Sequence, residues 1–298
     1  MLSRRDFLWT AGAILPAARC ADAAEAAEAV IDLHQHTNYN DRTDDQLVAH
    51  QRKMGITRTV LLPAGSQYGL AAKCGGNDTV VALAAGYPKE FVYFANELPD
   101  IPETKAVLEK YLEAGAIGIG EQKFPVECDS PGMQLVFAIA RDHRVPVLMH
   151  FQHGAYNTGI ERFYKMVEKY PAVTFIGHAQ TWWGNIDKNH TQSVMYPKTR
   201  VTPVGITVRL LSDYPNVYGD LSAGSGLNAL LRDEDHARDF LKRHQDRLVF
   251  GSDCNDREGE GSNCIGAQQL ATIRRLAPDA AAVRKILHDN TARLLGMG

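Results

Sequence analysis

The sequence predicts a single (β/α)8 barrel, the TIM-barrel architecture in which a ring of helices surrounds eight parallel strands. Two observations support this prediction. From Val30 onward, eight short apolar runs rich in Val, Ile and Phe alternate with longer amphipathic segments, which is the pattern of βα units around a parallel sheet. The chain of 298 residues also has the size of such a barrel, whereas a doubly wound open sheet more often has fewer strands.

The predicted elements follow one another in a regular order. The eight strands are expected at residues 30–36, 58–63, 91–96, 116–123, 146–152, 173–179, 216–221 and 247–253. Helical periodicity is clearest at residues 43–54, 102–113, 133–143 and 160–169. The longest interruption, residues 180–201, is predicted to be an elaborated loop after the sixth strand.

The first 23 residues have the pattern of an export signal. Arg4 and Arg5 precede an apolar stretch that ends at Ala21-Asp22-Ala23, an A-x-A cleavage motif. This segment resembles a twin-arginine signal peptide, and the alternative is an amphipathic N-terminal helix. We therefore expect residues 1–23 to be removed and the barrel, residues 24–298, to be periplasmic or secreted. The apolar stretch is too short to span a bilayer, so no stable membrane anchor is expected after cleavage.

The charge balance and the cysteine spacing narrow the classes of partner. With 32 basic and 35 acidic residues the formal net charge is −3, so the chain lacks the basic field that binds nucleic acid. Four cysteines follow the predicted signal, and none belongs to a C-x-x-C pair: Cys74, Cys128, Cys254 and Cys264. This spacing does not predict a thiolate zinc site, and we expect free or singly bridged thiols.

Ionisable side chains accumulate where the predicted strands end. His34 and His36 end the first strand and share one face of it, because side chains alternate along a strand. His150 ends the fifth strand, His178 the sixth and Asp253 the eighth. The carboxyl ends of barrel strands meet at one face, and imidazoles with a carboxylate are ligands that Zn²⁺ and similar divalent ions prefer. The pattern therefore predicts a catalytic metal centre that holds one divalent ion, with Zn²⁺ expected.

These strand ends, together with the G-S-D tripeptide at residues 251–253 and the closing N-x-A-R-L-L-G at residues 290–296, resemble the amidohydrolase superfamily. Within it, the chain is similar to the branch of aminocarboxymuconate semialdehyde decarboxylase and of the muconolactone and pyrone-dicarboxylate lactonases. The resemblance spans residues 30–296 and implies four metal ligands: His34, His36, His150 and Asp253. It implies that His178 is either a further ligand or a catalytic residue beside the metal.

The fourth strand adds two charged residues to the same face. Glu121 and Lys123 are two positions apart, so both can point into the mouth of the barrel. The resemblance implies that Glu121 is a metal ligand, and with it a site for a second ion stays open as an alternative to a one-ion site. The alternative role for Glu121 is a structural salt bridge. Lys123 is predicted either to bind a substrate carboxylate or to be solvated at the rim.

Hydrolysis is the reaction that this residue set predicts. Metal coordination lowers the pKa of water from ~15.7 toward ~7, and Asp253 would then accept and deliver the proton while His178 stabilises the oxyanion. The expected substrate is a small cyclic ester or amide, carboxylated or not, in contact with Lys123, Trp182 and Arg200. Two alternatives stay open: a non-oxidative decarboxylase of a small unsaturated or aromatic acid, and a barrel that binds a metal or ligand without catalysis. The sequence leaves the oligomeric state open.

Overall fold

The structure is a computed structural model that describes residues 28–65 and 73–297, and the predicted signal lies outside these residues. All eight predicted strands are confirmed, each within its predicted range and shorter than it. They are β1 (Ile31–Gln35), β2 (Arg58–Leu61), β3 (Phe91–Tyr93), β4 (Ile119–Gln122), β5 (Val147–His150), β6 (Phe175–His178), β7 (Val217–Asp220) and β8 (Leu248–Val249).

The strands close into a barrel in sequence order. Parallel ladders join β1 to β2 and β3, and a second set joins β4 through to β8. Ala95 pairs with Ile119 and bridges β3 to β4. The amide of Leu33 donates to the carbonyl of Phe250 at 3.1 Å and joins β1 to the end of β8. The (β/α)8 prediction is therefore confirmed, and the carboxyl ends of all eight strands face one rim.

Helices fill the gaps between the strands. They are α1 (Asp44–Lys53), α2 (Asn77–Gly86), α3 (Thr104–Glu113), α4 (Pro131–His143), α5 (Tyr164–Lys169), α6 (Ala179–Gly184), α7 (Ile206–Asp213), α8 (Ala223–Leu231), α9 (Glu234–His244), α10 (Ile265–Leu276), α11 (Ala280–Arg284) and α12 (Asn290–Leu295). The predicted segment 160–169 is divided between a 3₁₀ turn at Ile160–Arg162 and α5.

One part of the predicted organisation is confirmed only in part. Residues 185–201 form the predicted loop after the sixth strand, but residues 180–184 belong to α6, which follows β6 directly. Gly177 on β6 leaves room for the ring of Trp182 in this helix, since an atom of that ring lies 2.3 Å from where a Cβ of residue 177 would be. This tertiary contact packs α6 against the end of β6.

Local sequence explains how two of the larger helices begin. Thr43 caps α1 in a capping box: its hydroxyl accepts from the amide of Gln46 at 3.3 Å, and the Gln46 side chain accepts from the amide of Thr43 at 3.0 Å. Ser130 caps α4, and Pro131 occupies the first turn, where a missing N–H costs nothing. These caps position the helices against the barrel.

The apolar core has two layers. The barrel interior is filled by side chains that point inward from seven of the strands or the residues next to them: Leu33, Val60, Leu62, Phe94, Leu148, Ile176, Tyr218 and Val249. A larger cluster fills the space between the strands and the helices. Inside the barrel the apolar layer stops near the carboxyl ends of the strands, where the buried side chains become polar.

The closing N-x-A-R motif holds β8 in place. The side-chain amide of Asn290 donates to the carbonyls of Gln245 at 2.7 Å and Leu248 at 2.8 Å, and the amide of Phe250 donates to Ile286 at 3.0 Å. A turn of π-helix, Lys285–Asp289, joins α11 to α12 at this point. The motif therefore fixes the strand that leads to Asp253.

None of the helices in the described residues is both long and apolar enough to cross a membrane.

Candidate metal centre

The structure brings the predicted metal-binding side chains together at the carboxyl-terminal rim of the barrel. The Nε2 atoms of His34 and His36 are 3.2 Å apart, and both lie 3.7 Å from Oε2 of Glu121. Asp253 Oδ1 lies 3.5 Å from Nε2 of His36 and 3.8 Å from Nε2 of His34. His178 Nε2 lies 3.6 Å from Oδ2 of Asp253. All five side chains are buried or nearly so.

The hydrogen bonds of the first-strand histidines fix their tautomers. His36 Nδ1 lies 2.7 Å from the carbonyl oxygen of Leu62, which can only accept, so Nδ1 carries the proton. His34 Nδ1 donates in the same way to Oδ2 of Asp220 at 2.7 Å. In the neutral rings, both Nε2 atoms therefore present lone pairs to each other. Two acceptors this close need a proton or a metal ion between them, and a metal ion would fit this position.

Asp253 supplies a second sign of a cation site. Its Oδ1 atom is buried and has no hydrogen-bond donor among the described residues. A buried unpaired carboxylate oxygen is costly unless a cation or a donor reaches it. The residue also has a left-handed backbone with φ of 43°, held by a hydrogen bond from its amide to the carbonyl of His34 at 2.8 Å. Such strain in a non-glycine residue is typical of functional sites.

The distances fit a single divalent ion. Zinc bound to two imidazoles at ~2.0–2.1 Å in a tetrahedral arrangement separates their nitrogens by ~3.3–3.4 Å. The observed separations are 3.2 Å between His34 and His36, 3.5 Å between His36 and Asp253, and 3.8 Å between His34 and Asp253, of which the last is a little longer than in an ideal site. The residues present therefore fit a metal ion held by His34, His36 and Asp253.

Glu121 and His150 lie on the other side of this group. Oε2 of Glu121 faces His34 and His36, while its Oε1 accepts from Nδ1 of His150 at 2.5 Å and lies 3.7 Å from Nε2 of His178. Glu121, His150 and His178 form a second group of atoms close enough to share an ion. Glu121 thus lies between two overlapping sets of ligands, and metal ligation by Glu121 and His150 stays a prediction.

The electrostatics of the cluster favour positive charge. Burial opposes protonation of His34, yet the carboxylates of Asp253, Asp220 and Glu121 outweigh it and raise the pKa of His34 to about 10. Burial also opposes protonation of His178, but the carboxylates of Asp220 and Asp253 outweigh this effect and raise the pKa of His178 to about 10. The carboxylates around these rings therefore favour positive charge, and a metal ion bound here would replace those protons.

Asp220 at the end of β7 was missed by the sequence analysis. It is fully buried, and its Oδ2 lies 2.7 Å from Nδ1 of His34, 3.3 Å from Nδ1 of His178 and 2.7 Å from the hydroxyl of Ser222. The same rule that selected the other strand ends would have found it, because residues 216–221 were predicted to be a strand. Asp220 is a positioning residue that turns the Nε2 atoms of two imidazoles toward the centre.

The G-S-D tripeptide explains how β8 approaches β1. A Cβ on Gly251 would lie 2.6 Å from Asp220 Oδ1 and 2.8 Å from the Cβ of His34, so this position requires glycine. Ser252 donates from its amide to Oδ1 of buried Asp32 at 2.8 Å, and from its hydroxyl to Oδ2 of Asp32 at 2.5 Å. These contacts place Asp253 over the first-strand histidines.

Lys123 brings an ammonium group to the mouth of the site. Burial lowers the pKa of Lys123, but the nearby carboxylates of Glu121 and Asp253 outweigh it and raise that pKa. No hydrogen bond or ion pair of the Lys123 ammonium is found within the described part of the chain. Tyr39 stacks edge-on against His36 at 5.0 Å, and Cys74 also lies close to His36.

The other two predicted substrate contacts lie elsewhere. Trp182 is completely buried in the outer core layer and stacks on Phe151 at 5.7 Å, which leaves it no exposed face for a substrate. Its burial corrects the expectation that it lines a loop at the rim. Arg200 is highly exposed and lies 4.0 Å from Asp235, and within residues 28–65 and 73–297 it contacts none of the metal-binding cluster. A substrate contact of Arg200 stays a prediction.

Comparison with known proteins agrees with this geometry. The family model described as amidohydrolase matches residues 31–297. The chain belongs to the amidohydrolase family. This membership makes it a metal-dependent enzyme and leaves the reaction, hydrolysis or decarboxylation, unresolved. No curated protein sequence matches the chain.

Several solved structures share the fold of this amidohydrolase. An uncharacterised TIM-barrel protein from Bordetella bronchiseptica is 17% identical with a TM-score of 0.64, covering 90% of this chain and 98% of its own. A probable 2-pyrone-4,6-dicarboxylic acid hydrolase from Acinetobacter baumannii, with citric acid bound, is 15% identical with a TM-score of 0.61, covering 90% and 99%. A dihydroxybenzoic acid decarboxylase from Polaromonas, with bound manganese and 2-nitroresorcinol, is 16% identical with a TM-score of 0.58, covering 91% and 97%.

Proposed function

We propose that this amidohydrolase hydrolyses a small cyclic ester or amide that carries a carboxylate. One observation carries the proposal: a buried carboxylate oxygen without a donor, on Asp253, faces the lone pairs of His34 and His36. This arrangement supports one divalent ion, with Zn²⁺ expected from the nitrogen and oxygen ligands. When bound, such an ion supplies an activated water near neutral pH.

Asp253 and His178 are placed to handle the proton of the reaction. Oδ2 of Asp253 lies 3.6 Å from Nε2 of His178, so the two groups can share a proton as charge develops on the substrate. Asp253 would accept the proton and deliver it to the leaving oxygen or nitrogen. His178, held from its Nδ1 side by Ser222 at 3.0 Å, would stabilise the oxyanion through Nε2.

Lys123 supports the choice of a carboxylated substrate. Its ammonium sits beside the metal-binding carboxylates, and no direct partner is found for it in the described residues. A carboxylate on the substrate would complete that pairing and fix the scissile bond over the metal.

Non-oxidative decarboxylation is the second candidate. The solved structures with this fold include a dihydroxybenzoic acid decarboxylase as well as the probable pyrone-dicarboxylic acid hydrolase. The same residues would serve: Lys123 or the metal would hold the carboxyl group, and Asp253 or His178 would protonate the carbon that loses CO₂.

Product analysis tests the proposal. Metal-loaded protein is incubated with carboxylated lactones and, separately, with hydroxybenzoic acids, and both CO₂ and ring-opened acids are measured. Hydrolysis predicts a ring-opened acid without CO₂, and the Asp253→Asn variant should lose this turnover while keeping its circular dichroism spectrum. Lys123→Met should raise KM for carboxylated lactones more than it lowers kcat. If CO₂ is released from a hydroxybenzoic acid and no lactone is opened, the proposal of hydrolysis is wrong and the enzyme is a decarboxylase.

We also propose that the enzyme acts outside the cytoplasm, on the basis of the twin-arginine pattern at residues 1–23. Mass spectrometry of the N-terminus after expression in a bacterial host should find cleavage after Ala23. An intact N-terminus in the cytoplasmic fraction would contradict export.

A further inference from the structure

A second group of metal-ligating side chains lies apart from the catalytic cluster. His50 comes from α1, Cys254 follows β8, and Cys264 is the N-cap of α10. At most 2% of any of these side chains is exposed. They meet although Cys264 is 214 positions from His50. The spacing of the cysteines gave no sign of this group, because the tertiary fold supplies the third ligand.

The distances within this group match those around a tetrahedral zinc ion. The Sγ atoms of Cys254 and Cys264 are 3.8 Å apart, and Sγ of Cys264 lies 3.4 Å from Nε2 of His50. Zinc with bonds of ~2.3 Å to sulfur and ~2.0 Å to nitrogen separates two sulfurs by ~3.8 Å and a sulfur from a nitrogen by ~3.5 Å. A disulfide would require the two sulfurs to lie ~2.05 Å apart, and both cysteines are free.

The hydrogen bonds leave the ligand atoms ready to bind. Nδ1 of His50 lies 3.1 Å from Oε1 of Gln51, so in the neutral ring Nδ1 carries the proton and Nε2 presents its lone pair to the thiols. Zinc binds cysteine as the thiolate, so metal binding at this site would release the protons of the two thiols.

The charge balance selects the ion. Two thiolates and a neutral imidazole carry two negative charges, which Zn²⁺ cancels, whereas Cu⁺ would leave a net negative charge in a buried site. We propose that His50, Cys254 and Cys264 form a second metal site, which binds Zn²⁺ as a structural ion. The fourth position is bordered by Met54, whose sulfur lies 3.6 Å from Cys264, and by Asp256, whose Oδ2 lies 3.8 Å from His50.

The site holds the segment that presents Asp253. Cys254 is the next residue in the chain, and its carbonyl accepts from Nη1 of Arg42 at 2.8 Å. A zinc ion would tie this residue to α1 and to α10. The ion is therefore a structural support for the catalytic aspartate and takes no part in the reaction itself.

Cobalt substitution tests the proposal. Reduced, chelator-treated full-length protein is loaded with Co²⁺, and the thiolate-to-cobalt charge-transfer absorption in the near ultraviolet is recorded. The proposal predicts this band in the wild type and its loss in Cys264→Ser. The band should persist in Cys128→Ser, a buried cysteine elsewhere, and in Cys74→Ser, which removes a thiol beside His36.

Three results would overturn the proposal: no band in the wild type, a band that survives in Cys264→Ser, or a band that disappears in Cys74→Ser. A Cys254–Cys264 disulfide found by mass spectrometry in the purified protein would do the same. If Cys264→Ser does not fold, His50→Asn is used instead. Its affinity for Co²⁺, measured from the intensity of this band, should be at least about tenfold weaker than that of the wild type. Unchanged Co²⁺ affinity in His50→Asn would also overturn the site.

Discussion

Asp220→Asn isolates the role of a carboxylate that touches no metal. The substitution keeps the shape of the side chain but removes the charge that His34 and His178 share through their Nδ1 atoms, at 2.7 and 3.3 Å. Both rings approach the same oxygen, Oδ2, while Oδ1 accepts from the amide of Ser222 at 3.0 Å, so in either orientation the NH₂ group of the asparagine replaces one of these acceptors. The loss of charge and of an acceptor should loosen the two imidazoles, and displacement of either Nε2 atom would weaken metal binding.

The expected loss follows from comparable partners of metal-bound histidines. Removing one such partner weakens metal binding ~10–100-fold, which is ~1.4–2.7 kcal/mol. Zn²⁺ affinity is measured by competition with a chromophoric chelator at neutral pH, and urea unfolding of the metal-free protein reports stability separately. Two controls bracket the variant. Ser222→Ala removes the hydroxyl that contacts Asp220 and His178 but keeps the charge of Asp220, so it should cost less, and exposed Asp213→Asn should change nothing. Zn²⁺ affinity within about twofold of the wild type in Asp220→Asn would refute the positioning role.

Three further predictions concern the second ion, acid stability and the closing motif. Glu121→Gln should lower metal content if Glu121 is a ligand, and unchanged metal content with an unchanged rate would return it to a structural salt bridge. Burial and the nearby Arg243 lower the pKa of His244 to about 4, below its unfolded value of ~6.5. The neutral imidazole therefore contributes its full stability above pH ~6.5, and this contribution is lost as the pH falls toward the folded pKa. In metal-free protein, His244→Gln should reduce the decrease in unfolding free energy between neutral and acidic pH by about 2 kcal/mol. Asn290→Ala removes two buried hydrogen bonds to the β8 region. It should lower the free energy of unfolding, measured in urea, by about 2 kcal/mol. An unchanged free energy of unfolding would show that the motif does not anchor β8.

The sequence determined the architecture and much of the candidate metal centre. Eight apolar runs were enough to predict the barrel, because parallel strands buried on both faces have a continuous apolar pattern. The period of two in a strand placed His34 beside His36, and the common rim of a barrel brought His178 and Asp253 to them. Asp220 follows the same rule, because it too lies at the carboxyl end of a predicted strand, so the sequence contains the signal for it.

Other features were decided only by tertiary structure. The role of Trp182 depended on the space beside Gly177, and a linear sequence does not show which side chain will fill a gap on a neighbouring strand. Sequence periodicity shows which side chains share a face of one strand or helix. It predicted the carboxyl-terminal rim because every strand of the barrel ends there in the same way. The meeting of His50 with Cys254 and Cys264 joins a helix to the far end of the chain, and such contacts come from how whole elements dock in three dimensions.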